Sequence, residues 1–122
     1  LLRLKSGNVK IINEINFFSR VHVEDIANIL FESLSKFKGG EIYNISDDEP
    51  SSSQNITLFG AKLLNIKKPK NVELNLIESE MIKNFYKDSK KVSNKKMKDY
   101  FQYKLKFPTY RDGLRYIRDN IF

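Results

Sequence analysis

From Val23 to Phe37 the apolar side chains fall at positions 23, 26, 27, 30, 34 and 37, a spacing of three and four that lines one face of an α-helix. Glu24 and Asp25 stand in its first turn, where carboxylates favour the positive end of the helix dipole. Lys38-Gly39-Gly40 ends it, because glycine takes the left-handed conformation that a helix terminus often needs. The pattern then shortens. Glu41 to Ile45 is a brief, mostly apolar run of the kind buried in a parallel sheet, and Ser46-Asp47-Asp48-Glu49-Pro50 turns the chain. A helix followed by such a strand is half of a βαβ repeat.

Two β-rich runs precede this pair. Val9 to Ile12 and Ile15 to Phe18 are separated by the polar break Asn13-Glu14 and are expected to pair as a small hairpin. Beyond the turn, Ser53 is the expected N-cap of a helix with Ile56, Phe59, Gly60, Leu63 and Leu64 on one face, and Asn65 and Pro69 bracket its exit. Val72 to Leu76 alternates weakly as a strand, and Ser79 caps a short helix through Met81, Ile82, Phe85 and Tyr86. Ser93 caps the next helix, through Met97, Tyr100 and Phe101; Tyr103, Leu105 and Phe107 then alternate with Lys104 and Lys106 as a strand does. Thr109 and Asp112 form a capping pair for a final helix with its stripe at Tyr110, Leu114, Ile117 and Ile121. The expected class is α+β, about five helices with short strands in one globular unit, residues 1–122.

Composition narrows the classes. No apolar run approaches the roughly 18 residues that span a bilayer, and Leu1-Leu2-Arg3-Leu4-Lys5 lacks the form of a signal peptide. Cysteine is absent, which removes disulfides and thiolate chemistry and fits a reducing compartment, so a soluble cytoplasmic protein is expected. The chain opens without Met on a segment already amphipathic, which reads as a start partway through a larger protein. The formal charge of +7 raises the question of a polyanionic partner. Most of the excess lies between Lys62 and Lys106, where thirteen lysines face five acids. Phe85, Tyr86, Tyr100, Phe101, Tyr103 and Tyr110 are interleaved with them, the arrangement of a groove that binds single strands. Those aromatics also sit at helix or strand periodicity, which favours a packing role over nucleic acid.

Few residues carry chemistry. His22 is the single histidine, so zinc would have to be held mostly by carboxylates; a histidine just before a helix more commonly bonds the backbone there. Glu24 and Asp25 are better explained by the helix dipole than as an acid and base pair. Asp47-Asp48-Glu49 lacks the alternation and glycine of a calcium loop and reads as a solvated turn. Gly39-Gly40 precedes a strand, the reverse of the order that a dinucleotide site requires. No metal site, catalytic residue or cofactor site is expected in this chain.

One segment is more specific. Phe18-Ser19-Arg20-Val21-His22-Val23-Glu24-Asp25-Ile26-Ala27 resembles a stretch past the midpoint of extended short-chain dehydrogenases/reductases, the NAD-dependent epimerase/dehydratase family. Gly40-Glu41-Ile42-Tyr43-Asn44-Ile45 resembles that family's glycine-x-x-Tyr-Asn-Val strand. Lys90-Lys91-Val92-Ser93-Asn94 and Phe107-Pro108-Thr109-Tyr110-Arg111-Asp112-Gly113-Leu114 resemble the end of an atypical subgroup of nucleoside-diphosphate-sugar epimerases. In this order they cover most of the chain.

The resemblance implies the C-terminal, substrate-side region of an α/β Rossmann-type protein. The dinucleotide-binding half, with its NAD or NADP and the Tyr-x-x-x-Lys catalytic pair, lies upstream of what is matched. The partners implied are that missing N-terminal half and a small-molecule, anionic substrate; self-association through the uncovered sheet-facing strand is expected. An arginine that contacts the substrate diphosphate in the family's nucleotide-sugar epimerases is replaced here by Phe18, and Arg20 lies two residues before His22. Phe18 and Arg20 are thus the substrate-binding candidates, since a guanidinium offers forked donors to phosphate or carboxylate. A basic module for nucleic acid or another polyanion, without catalysis, is the alternative.

Overall fold

The computed structural model describes residues 1–36 and 38–122. In chain order it contains α1 (Leu2–Lys5), β1 (Ile11–Ile12), β2 (Phe17–Phe18), α2 (Val23–Ser35), β3 (Ser51–Ser52) and α3 (Ser53–Leu63). Next come β4 (Asn71–Val72), a 3-10 turn at Leu74–Leu76, α4 (Glu80–Lys87), α5 (Lys95–Phe101) and α6 (Tyr110–Ile121). The class is α+β, with α1 added to the helices expected from the pattern. Position 37, the end of the helix expected from Val23, lies outside the described residues.

The expected hairpin does not form. β1 runs parallel to β4, with Ile11 opposite Asn71 and Ile12 opposite Val72; β2 runs antiparallel to β3, with Phe17 opposite Ser52 and Phe18 opposite Ser51. The backbone explains the separation. Ile11 N donates to Lys70 O and Asn13 N to Val72 O, each at 2.9 Å, while Phe17 N donates to Ser89 Oγ at 3.0 Å and Phe17 O accepts from Lys90 N at 2.8 Å. Each run finds its partner far along the chain. Of the expected strand at Val72 to Leu76 only Val72 is paired, with Asn71 before it, and the 3-10 turn begins at Leu74.

Caps set the helix starts. Ser52, one residue before the expected Ser53, accepts from Asn55 N at 3.1 Å, and Ser79 accepts from Ile82 N at 3.4 Å. Asn94, not Ser93, is the residue flanking α5, although the Ser93 hydroxyl accepts from Lys95 N at 3.2 Å. Asp112 accepts from both Thr109 N (3.1 Å) and Thr109 Oγ1 (2.7 Å) at the start of α6, the expected capping pair. Asn65 takes φ +53° just past α3, the left-handed conformation that releases the chain from a helix.

The principal core joins Ile29 of α2, Met97 and Phe101 of α5, and Leu105, with Tyr43, Ile45, Tyr100 and Tyr103 packed around it. A second contact layer sets α3 against α1, β1 and α6. There Gly60 lets α1 approach closely: a Cβ at that position would lie 2.7 Å from Leu4 Cδ1.

The stripe expected to bury α2 is turned the other way. Asp25 and Ile29 are the buried residues, whereas Val23, Ala27, Leu30 and Leu34 are exposed, Leu34 to 80%. Phe31 beside them is 73% exposed. Burying a Leu or Phe is worth about 1.5–3 kcal/mol, so leaving Leu30, Phe31 and Leu34 in water forgoes on the order of 5 kcal/mol. The same face continues into Glu41 to Ile45. That segment alternates as a strand should, with Tyr43 and Ile45 turned inward and Ile42 82% exposed, but it pairs with no strand among the described residues. The expected strand is an extended segment with an open edge. A second expected strand, Tyr103 to Phe107, is likewise extended without a ladder, and two of its N–H groups, those of Lys106 and Phe107, are taken by a side chain, Asp25.

Surface area bears on this face. A monomeric domain of 14.3 kDa is expected to expose about 6,800 Å²; this chain exposes 8422 Å².

Candidate functional site

The resemblance pointed to the junction between β2 and α2, and the structure places Phe18 and Arg20 against the start of α3. Because β2 pairs with β3 and β3 leads directly into α3, Arg20 meets the first turn of that helix. Its Nη1 donates to Ser51 O at 2.7 Å and Phe18 O at 3.2 Å, and its Nη2 donates to Ser53 Oγ at 3.2 Å. Burial holds the Arg20 guanidinium below its ordinary value, against the opposing field of Asp47. Phe18 stacks on Phe85 of α4, with ring centroids 4.6 Å apart and planes 9° from parallel, and meets Tyr86 edge-on at 6.3 Å.

Asp47 departs from the solvated turn expected of Asp47-Asp48-Glu49. It is buried, its N–H donates to Arg20 O at 2.6 Å, and its carboxylate accepts from Glu49 N at 3.0 Å. Desolvation pushes its carboxyl up to about 6, over the lowering effects of the Glu49 N–H and Arg20. Asp48 goes the other way: burial raises it, but Asn94 Nδ2 at 2.7 Å and Lys98 Nζ at 2.9 Å together hold it below the usual range. Glu49 is paired with Arg111. The turn is a set of structural anchors. No group of three or more His, Cys, Asp or Glu among the described residues could hold a metal ion.

His22 occupies the N-cap of α2. Its Nδ1 accepts from Glu24 N at 3.3 Å, and its ring lies 3.9 Å from that of Phe107 and edge-on to Tyr116 at 5.8 Å. Gly113 of α6 leaves room for this ring, since a Cβ there would approach His22 Cδ2 to 3.1 Å. Glu24 is bound by Lys106 Nζ at 2.6 Å, which holds its carboxyl below the usual range and raises Lys106. Asp25 carries more than the dipole role expected of it. It is fully buried, and its Oδ1 accepts from Tyr103 Oη and Lys106 N, each at 2.8 Å, while its Oδ2 accepts from Phe107 N at 3.0 Å.

Above the junction lies the largest cleft described, about 910 Å³, bounded by α1, the approach to β1, α3 and α4. Neither Phe18 nor Arg20 lines it. Both act on it through a neighbour, Phe18 by backing Phe85 and Tyr86, Arg20 by holding Ser53. Ser53, Ile56, Thr57 and Gly60 form the α3 wall. Ile56 and Gly60 belong to the apolar face expected of this helix, whereas Ser53 and Thr57 beside them, and the opposing walls from distant segments, enter the cleft only through the tertiary structure.

The aromatics of the lysine-rich half are mostly occupied in packing. Phe101 is in the core, Tyr43 stacks on Tyr100, and Tyr103 is bound to Asp25. Burial, with Asp25 adding to it, raises the Tyr103 phenol. Several of the lysines face acids, including Lys96 with Glu41, Lys98 with Asp48 and Lys95 with Asp99. No helix among the described residues is long and apolar enough to cross a membrane.

No protein-family model matches this chain, and no curated protein does. Solved structures do. A functionally unknown conserved protein from Silicibacter pomeroyi DSS matches at a TM-score of 0.87 and 33% identity, over 93% of this chain and 42% of that one. A human epimerase family protein, SDR39U1 (isoform 2), solved with NADPH, matches at a TM-score of 0.77 and 17% identity, over 98% of this chain and 41% of that one. The chain therefore spans about two-fifths of the length of either and shares their fold over that part.

Proposed function

We propose that this chain is the substrate-side, C-terminal portion of an NAD(P)-dependent epimerase or reductase of the short-chain dehydrogenase/reductase type, and is not catalytic alone. The observation that carries this reading is the exposed apolar face of α2 beside the open edge at Glu41 to Ile45. An open edge needs backbone partners and an apolar helix face needs cover, and a neighbouring parallel sheet supplies both. The surface exposed beyond that of an ordinary domain of this mass supports the same reading. So does the fold shared with part of an epimerase family protein solved with NADPH.

The cofactor belongs to that other part. Gly60 and Gly113 are closed over by Leu4 and His22, Gly7 sits on an open turn of positive φ, and Gly39-Gly40 precedes the Glu41 to Ile45 segment instead of leading from a strand into a helix, so none of them has the order of a phosphate cradle. What this chain contributes is the cleft: α3 and α4 supply its walls, Arg20 fixes Ser53, and Phe18 supports the aromatic end.

The test is to read the frame through the codons before Leu1. A strand, a glycine-rich turn and a helix are expected there, and the product that includes them should bind NADPH or NADH in calorimetry. A frame without that segment, or a product that binds neither nucleotide, refutes the reading.

A further inference from the structure

We infer that the cleft between α1, α3 and α4 takes an amphipathic anion, an apolar chain or ring ending in a carboxylate or phosphate, in preference to a nucleotide sugar. This deepens the reading of the cleft as the substrate site. Its volume of about 910 Å³ suits a single small molecule of that kind.

The walls decide the apolar part. Apolar side chains, Ile12, Ile56, Ile77, Ile82 and Phe85 among them, make up the larger part of the lining, to which the exposed Met81 also belongs. A sugar carries a hydroxyl on nearly every carbon, and each one moved from water to such a wall loses hydrogen bonds that the wall cannot replace. The uncharged polar residues of the lining are Asn8, Ser53, Thr57 and Tyr86, a minority among apolar side chains. Ser53 Oγ accepts from Arg20 Nη2, which leaves its proton and one lone pair, so it can donate to a carboxylate or phosphate oxygen.

Charge decides the head. Arg3 and Lys10 both line the cleft, no Asp or Glu does, and neither cation is in an ion pair among the described residues. Two other clefts contain both signs, one with Glu14 and Glu73 beside Lys83 and Lys87, the other with Glu41 and Asp99 beside Lys38, Lys95 and Lys96. This cleft differs in that its two cations face no acid in the lining.

The two methionines provide a direct test, because Met81 lines the cleft and Met97 is fully buried in the principal core. The full chain, labelled with 13C at the methionine methyls, is titrated with decanoate, decyl phosphate, decanol and UDP-glucose. Saturable movement of the Met81 resonance with either anion and a fixed Met97 is expected, with decanol and UDP-glucose at least tenfold weaker. Changing Arg3→Gln and Lys10→Gln together should weaken both anions about tenfold and leave decanol unaltered; the stronger of the two anions identifies the head group. A Met81 resonance that neither anion moves, one that UDP-glucose moves at lower concentration, or joint movement of Met81 and Met97 would overturn the assignment. The titration contains no nicotinamide nucleotide, so its outcome is independent of whether the longer product binds one.

Discussion

Replacing Asp25 should cost more stability than any other single polar substitution in this chain. Its carboxylate, with 0% exposure, stands where a neighbouring strand would otherwise be, accepting Lys106 N at 2.8 Å and Phe107 N at 3.0 Å along the extended segment, and Tyr103 Oη at 2.8 Å. Hydrogen bonds to a charged group contribute about 1.5–3 kcal/mol each, and a buried donor left without an acceptor costs about 1–3 kcal/mol. Asp25→Ala removes the acceptor from both amides at once, and Phe107 is itself buried, so a loss of about 3–5 kcal/mol is expected. Asp25→Asn keeps one acceptor oxygen but turns an NH2 toward the other amide, for about 2–3 kcal/mol. Tyr103→Phe removes one bond to Asp25 and, at the exposed end, the acceptor of Asn28 Nδ2 at 3.1 Å, for about 1 kcal/mol. Urea unfolding followed by far-ultraviolet circular dichroism measures the series, with midpoints falling in the order wild type, Tyr103→Phe, Asp25→Asn, Asp25→Ala. Should Asp25→Ala fail to fold, the other two variants still test the order. An Asp25→Ala protein within about 1 kcal/mol of wild type would refute the account.

Two further outcomes are expected. Burial raises the Asp47 carboxyl from the usual 3.8 to about 6, so its contribution is fully present below pH 3.8 and is lost as pH rises through about 6. The loss is up to about 3 kcal/mol. Asp47→Asn should therefore flatten the thermal-midpoint profile between pH 4 and 7; an unchanged slope in that window sinks the assignment. Phe31→Glu with Leu34→Glu should leave the helix content intact, since both side chains are exposed, while abolishing self-association of the isolated chain in sedimentation velocity. Association undiminished in that double variant would place the sticky surface elsewhere.

Helix positions were legible because they rest on local causes. Ser79 and the Thr109 and Asp112 pair cap where hydroxyl and carboxylate residues predict, and His22 bonds the backbone as a histidine at a helix start does. The strands were not legible, because a strand is defined by a partner. Ile11–Ile12 and Phe17–Phe18 read as neighbours in a hairpin, yet β4 and β3 claim them through amides and carbonyls that no local pattern specifies. The α2 stripe misled in an informative way. Its spacing gave a helix with an apolar face, but Ile29 and Asp25, on another side, make the core contact.

The candidate site divides along the same line. The segment from Phe18 to Ala27 marked the junction, and the pairing of β2 with β3 then determined what Arg20 touches: two backbone carbonyls and the Ser53 hydroxyl. The acidic turn was read as solvated, since nothing in its composition shows that Asp47 is enclosed; burial raises its carboxyl despite the field of Arg20.

What this sequence determined by itself was the α+β class, the helix caps, and a resemblance carried by short motifs in order, all set by interactions within a few residues. Only the tertiary structure decided which face of α2 is buried, that Asp25 substitutes for a strand, and where a cleft free of acids opens. The reason is physical: burial, desolvation and backbone pairing are properties of groups brought together from distant parts of the chain, and periodicity specifies an element without specifying what it will meet.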